Sequence, residues 1–242
     1  MLTTLRVLAA EALGTFYLCF AGIAAILCTA PPISSGGGLV AIALAHGLAL
    51  SIAVNNFGGI SGAHVNPAVT MGMLVTGRIR PSLAMLYVVA QMLGATIAAI
   101  TCRSIFPAEA INAAMLGIPL PAAWASTGTI FCVEFVLTFL LVISVFGTAV
   151  DERGKTVKIG GFGIGLTVAF DILAGGPITG ASMNPARSFG PALVMGHWDW
   201  HWLYWVAPIL GGVSAALFYH AFLLVAPEEP PVREEYLDRG RR

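Results

Sequence analysis

The sequence predicts an all-α membrane protein: six transmembrane helices plus two re-entrant half-helices, arranged as an inverted repeat. Three observations carry that prediction. Of 242 residues, 57% are hydrophobic and only 10% are charged, with a mean hydropathy of +0.86. A soluble domain carries roughly 25% charged residues and needs them to cover its surface. Six apolar stretches each approach the roughly 20 residues that a helix needs to cross a bilayer. The chain also repeats its own motifs at a nearly constant offset, with one Asn-Pro-Ala in each half.

The same arithmetic excludes other classes. Twelve Lys and Arg balance twelve Asp and Glu, so the basic excess of a nucleic-acid binder is missing. The cysteines Cys19, Cys28, Cys102 and Cys132 have no CxxC or Cys/His spacing and read as small core residues. No metal site and no cofactor is expected. No enzyme motif of the HExxH or GxSxG type appears. The Gly160–Gly165 run GGFGIG opens a hydrophobic span, not a nucleotide-binding unit.

In chain order, the predicted spans are about Leu5–Cys28, Leu39–Phe57, Ser82–Arg103, Gly128–Val150, Ile159–Gly176 and Trp202–Val225. The first is too long for a signal-peptide core and no small-residue cleavage site follows it, so it is expected to be retained. Orientation follows from basic residues. Arg6, Arg78, Arg80, Arg153, Lys155, Lys158, Arg233, Arg239, Arg241 and Arg242 fall on one side, ten of the twelve basic residues. Both termini are therefore expected in the cytoplasm. Short loops favour a cell's cytoplasmic membrane. The charged segment 227–242 reads as a mobile tail. The whole chain, 1–242, reads as one channel domain, with repeat 1 over about 1–110 and repeat 2 over about 120–226.

Three motif pairs define the repeat. Ala10-Glu11-x-x-x-Thr15-Phe16 matches Val133-Glu134-x-x-x-Thr138-Phe139. Ser61-Gly-Ala-His-Val-Asn66-Pro67-Ala68 matches Thr179-Gly-Ala-Ser-Met-Asn184-Pro185-Ala186. Tyr87-Val-Val-Ala-Gln91-Met-Leu-Gly94 matches Tyr204-Trp-Val-Ala-Pro208-Ile-Leu-Gly211. Glu11 to Glu134, Asn66 to Asn184 and Tyr87 to Tyr204 are separated by 123, 118 and 117 residues. Each half holds three spans, so the second copy must enter the bilayer from the opposite side. Inverted repeats build transport pathways with the site near the midplane.

Each Asn-Pro-Ala precedes about ten apolar residues, too few to span. Asn is a favoured N-cap and Pro a favoured first helical residue. Asn66 and Asn184 are therefore expected to cap two half-helices that meet nose to nose. The helix dipoles then place partial positive charge at the pore centre. The glycine-rich stretches before them, Gly58–Gly62 and Gly175–Gly180, are expected to be turns whose carbonyls line a cavity. Such a passage suits a single file of small neutral hydrogen-bonding molecules and opposes cations.

SGAHVNPAVT (Ser61–Thr70) and GASMNPARSFGPA (Gly180–Ala192) resemble the signatures of the aquaporin, or major intrinsic protein, family, and the likeness extends over roughly Leu5–Val225. The resemblance implies a water-conducting pore in each subunit and a homotetramer in the lipid bilayer. It implies that Glu11 and Glu134 brace the half-helix loops. It also implies a selectivity filter at His46, Ile172, Ala181 and Arg187. That set departs from the strict water-channel pattern of an aromatic, a His, a Cys or Thr, and an Arg. It is similar to the filter of some plant tonoplast intrinsic proteins, which pass ammonia, urea or hydrogen peroxide as well as water. A wider, more amphipathic filter is therefore expected here. Glycerol facilitators of the family carry an Asp after Asn-Pro-Ala-Arg where this chain has Ser188, and they lack an aromatic pair like Tyr204-Trp205, so glycerol is the alternative reading. An inverted-repeat secondary transporter is the remote one, with Glu11, Glu134 and Asp171 as its only intramembrane acids. Asp171 has no role in either reading beyond facing a neighbouring helix or a tetramer axis.

Overall fold

The computed structural model describes residues 2–155 and 159–224. Lys158 and the segment expected as a tail, 227–242, lie outside the described residues. Among the described residues, ten α-helices run in the order α1 (Leu2–Thr29), α2 (Gly38–Ser61), α3 (Pro67–Val75), α4 (Pro81–Ile105), α5 (Ala108–Ala113), α6 (Thr127–Val145), α7 (Glu152–Lys155), α8 (Gly160–Thr179), α9 (Pro185–Met195) and α10 (Leu203–Phe218). The ends of α6 and α10 continue as single π-turns, Phe146–Val150 and Tyr219–Leu223. Six of these helices, two of them extended by their π-turns, are long and apolar enough to cross a membrane. The half-helices α3 and α9 have 9 and 11 residues, about 13 and 16 Å at the helical rise, so neither reaches across.

Two expected boundaries shift. The glycine stretches expected as turns are helical: α2 continues to Ser61 and α8 to Thr179. Inside a bilayer an unpaired backbone group finds no water, so a helix persists through glycine where it would end in solution. The helices stop at Gly62 and Gly180, which adopt left-handed φ of 86° and 81° and return their N–H groups to Gly58 O and Gly176 O. Only a residue without Cβ takes that geometry cheaply.

Packing follows the internal repeat. α1 packs on α2 and α4, as α6 packs on α8 and α10. α3 rests against α10, as α9 rests against α4. α2 and α8, the equivalent pair, meet each other. Without water between them, membrane helices associate by close backbone approach over small residues. A Cβ on Gly94 would overlap the Ala12 carbonyl oxygen, and one on Gly211 would overlap that of Phe135. These glycines are repeat equivalents at equivalent crossings. Large apolar side chains such as Leu44, Leu48 and Ile52 on α2, and Phe162, Leu166 and Phe170 on α8, point outward.

The basic loops cluster at one end of the bundle. Arg78 lies over the Phe146 ring, 5.4 Å from its centroid. Arg153 pairs with Asp151 and donates to the Leu223 carbonyl, tying the α6–α8 connection to the end of α10. Hydrogen bonds from Arg153 hold the Asp151 carboxyl below the usual range. Arg103 is at the other end, donating to Val194 O, and the exposed Trp198, Trp200 and Trp202 follow α9 there. Tryptophan favours a membrane–water boundary.

Gly94→Ala should lower the midpoint of thermal unfolding in detergent, because overpacking a tight contact costs about 1–3 kcal/mol. Gly58→Ala, where a Cβ meets nothing within 4 Å, should leave the midpoint unchanged or slightly raised.

Candidate functional site

Asn66 and Asn184 have extended backbones and each caps the half-helix that follows. Asn66 Oδ1 accepts from Ala68 N at 2.8 Å, and Asn184 Oδ1 from Ala186 N at 3.0 Å and Arg187 N at 3.3 Å. Pro67 and Pro185 begin the helices, where a missing N–H costs nothing. The two caps are also cross-linked. Asn66 Nδ2 donates to Met183 O at 2.8 Å, and Asn184 Nδ2 donates to Val65 O at 2.9 Å. Each amide NH2 carries two hydrogens, so one remains on each Asn. Both Asn side chains line the central cavity. Ala68 and Ala186 are fully buried behind it.

The segments before the caps are strained. Ala63 and Val65 have φ of 45° and 53°; Ala181 and Met183 have φ of 44° and 54°. Left-handed φ at non-glycine residues costs of order 1–3 kcal/mol each and persists only when the surroundings impose it. Two carboxylates impose it. Glu11 accepts from Ser61 Oγ (2.7 Å), His64 N (2.9 Å), Val65 N (2.7 Å) and Gln91 Nε2 (2.7 Å). Glu134 accepts from Thr179 Oγ1 (2.7 Å), Ser182 N (2.9 Å) and Met183 N (2.8 Å). The second set lacks the amide because Pro208 stands where Gln91 does. Both glutamates are fully buried and neither lines the cavity.

The central cavity has a volume of about 210 Å3. It runs from Arg78 and Val150 at the basic end, past Val69, Val145 and Val168, to the paired asparagines. Beyond them it reaches His46, Ile172, Ala181 and Arg187, which line it together. His46 Nδ1 lies 2.8 Å from Ile42 O. A carbonyl only accepts, so Nδ1 carries the proton, and a neutral ring keeps Nε2 as an acceptor. Arg187 Nη1 donates to Gly117 O at 2.7 Å, which leaves other guanidinium donors for the cavity. Ile172 and Ala181 add apolar walls. One stretch thus offers fixed donors, fixed acceptors and apolar surface, without a carboxylate among its lining residues.

Asp171 is fully buried and does not line the cavity. Thr167 and Gly175, four residues either side on the same helix face, meet Ser144 and Leu137 of α6. Asp171 therefore faces that helix, and neither of its oxygens has a hydrogen-bond partner among the described residues. Its role has no structural explanation. His64 packs edge-on against Tyr87 and sits 3.2 Å from Thr70 Oγ1.

A pair of tyrosines and three further residues escape a residue-by-residue reading, the tyrosine pair first. Tyr87 and Tyr204 donate to Ser61 O (2.8 Å) and Thr179 O (2.6 Å), latching the ends of α2 and α8. Their signal was present in the third repeat pair. Gly22 is the second: a Cβ there would overlap the His46 ring. Gly117, in a 3-10 turn (Met115–Gly117) between α5 and α6, is the third. Gln91 is the fourth. Nothing local marks either glycine.

The model of the major intrinsic protein family matches residues 1–219. The chain belongs to that family. The major intrinsic proteins are membrane channels and transporters, and this chain is an integral, multi-pass member. Aquaporin TIP4-4 of Zea mays is 42% identical over 237 residues, covering 95% of this chain and 92% of the relative. Aquaporin TIP2-1 of Arabidopsis thaliana is 40% identical over 238 residues, covering 96% and 92%. The X-ray structure of the aquaglyceroporin from Plasmodium falciparum superposes with a TM-score of 0.80 at 25% identity, over 91% of this chain and 97% of that one.

Replacing Glu134 by Gln turns an NH2 toward one of the N–H groups that the carboxylate holds. A hydrogen bond to a charged group contributes about 1.5–3 kcal/mol. Glu134→Gln should therefore cut water permeability per reconstituted protein about tenfold or more, measured by light scattering of vesicles. Gly22→Ala should push the His46 ring into the passage. Its expected signature is a fall in the ratio of urea to water permeability.

Proposed function

We propose that this protein is a passive channel for water and for other small neutral solutes, with urea, ammonia and hydrogen peroxide as the solute class, and that it excludes protons and ions. The observation that carries the reading is the pair of capped half-helices meeting at a continuous cavity that ends at His46, Ile172, Ala181 and Arg187. The half-helix N-termini give the passage a positive centre and Arg187 adds a positive charge at its end, and both repel cations. The free hydrogens of Asn66 and Asn184 offer donors to a solute at the crossing, and the strained loops offer carbonyl acceptors. A solute that both donates and accepts replaces its water partners there; a bare ion does not.

Ile172 and Ala181 support the extension beyond water. Neither adds a polar group or a large ring, so the filter has two polar walls and two apolar ones. The TIP-named relatives support water as the primary solute. The glycerol alternative draws on the aquaglyceroporin likeness, but here Ser188 is buried and bonded to Ser182, not an acid.

The reading includes both termini in the cytoplasm, supported by the clustered basic loops. It includes a homotetramer, supported by the family resemblance and the outward apolar faces of α2 and α8. The expectation of a cytoplasmic membrane keeps only the short loops as support, since a vacuolar membrane presents the same cytoplasmic face to basic loops.

Vesicles holding the pure protein should shrink fast in an impermeant osmolyte and, in a urea gradient, re-swell faster than empty vesicles. Water flow equal to that of empty vesicles would overturn the channel reading. Ile172→His combined with Ala181→Cys should lower urea permeability about tenfold, the low end of what one methylene decides in a tight pocket, and keep water flow.

A further inference from the structure

The connection from α3 into α4 walls a second recess that touches the basic mouth of the pore. His64, Arg78, Arg80, Leu83 and Tyr87 line it, around a volume of about 390 Å3. None of its lining side chains is acidic. The carboxylate that bonds to its wall, Glu11, is fully buried and already has four donors. Arg80 is exposed, and its guanidinium has no hydrogen bond or ion pair among the described residues. The guanidinium of Arg78, also exposed, donates once, to Thr76 O at 3.1 Å, and lies over the Phe146 ring. A guanidinium carries five N–H donors, so most of two planar forks are unspent.

Exposed arginines in a cytoplasmic loop are ordinarily just hydrated. Here a second feature adjoins them. Met85, Leu86, Val89, Leu93 and Ile97 are exposed and follow one another at steps of one to four residues along α4, an apolar strip on the helix whose first turns supply Leu83 and Tyr87 to the recess wall. A cationic recess at the foot of a lipid-facing strip fits an amphiphile with an anionic head and an acyl tail. The cytoplasmic leaflet is where anionic lipids concentrate and where basic residues near the surface gain from them. Guanidinium forks match the geometry of phosphate oxygens.

We propose that this recess binds the phosphate group of an anionic phospholipid, with Arg78 and Arg80 donating to it and the acyl chain lying along α4. His64 and Arg78 also line the inner end of the pore, so the bound headgroup holds one wall of the mouth. The proposal rests on the membrane orientation and not on which solutes pass.

Native mass spectrometry of the intact protein, with phosphatidylglycerol, phosphatidylcholine or inorganic phosphate added in turn, tests it. Phosphatidylglycerol should be retained in preference to phosphatidylcholine. Arg80→Gln should weaken that retention about fivefold, and adding Arg78→Gln should weaken it further. Arg103→Gln, at the opposite end, should leave it unchanged. Arg80→Gln should keep its water flow in phosphatidylcholine vesicles, which shows that the variant is folded. Retention of inorganic phosphate alone, lost with Arg80→Gln, supports the same site with a free ion as its source. Equal retention of the two lipids, or a loss as large with Arg103→Gln as with the double variant, overturns the proposal.

Discussion

Glu11 and Glu134 each hold a carboxylate where the bilayer interior offers it no water. Each finds its donors in the loop it supports. An unpaired charge there is costly, and an unpaired backbone N–H is costly too. Bringing the two together removes both penalties. It also holds Val65 and Met183, with left-handed φ, in a conformation that an isolated chain would leave. Those two residues turn their carbonyls toward the opposite asparagines, so the cap-to-cap cross-link depends on the glutamates. The half-helices meet where they do because two carboxylates, one on α1 and one on α6, place the loops.

On the proposed reading, selectivity follows from saturated bonding. Asn66 and Asn184 each spend one amide hydrogen on the other loop's carbonyl and the carbonyl oxygen on their own helix. What remains is a single donor per side chain. Arg187 is similarly committed to Gly117 O, and His46 to Ile42 O. Each polar group at the passage is pinned by a bond behind it. The solute therefore meets groups that need no reorganisation, which suits passage of neutral molecules that exchange one hydrogen-bond partner for another.

The parts legible in the sequence are those with local causes. A span needs only a run of apolar residues. Asn66-Pro67 and Asn184-Pro185 announce capped helices from two residues each. Glu11 and Glu134 became legible through the repeat, since an acid in an apolar stretch twice over is unlike chance. The misplaced helix ends show the limit. Gly58, Gly59, Gly175 and Gly176 suggest turns by solution habits, but a membrane helix keeps its backbone bonds through glycine. α2 and α8 end only at Gly62 and Gly180. Gly22, Gly117 and the Tyr87 and Tyr204 latches act across long sequence separations, and no pattern near any of them names its partner. Asp171 is legible as an oddity in the sequence and remains one in the fold.

On the proposed reading, one passage admits neutral molecules and rejects charge. Water and proton flux measured together in the same protein-containing vesicles test this most directly, with a pH-sensitive dye inside and an osmotic step applied outside. Water flow should lie far above that of empty vesicles, with a proton leak equal to theirs under an imposed pH gradient. A proton leak that rises with the amount of protein, in step with water flow, would contradict it.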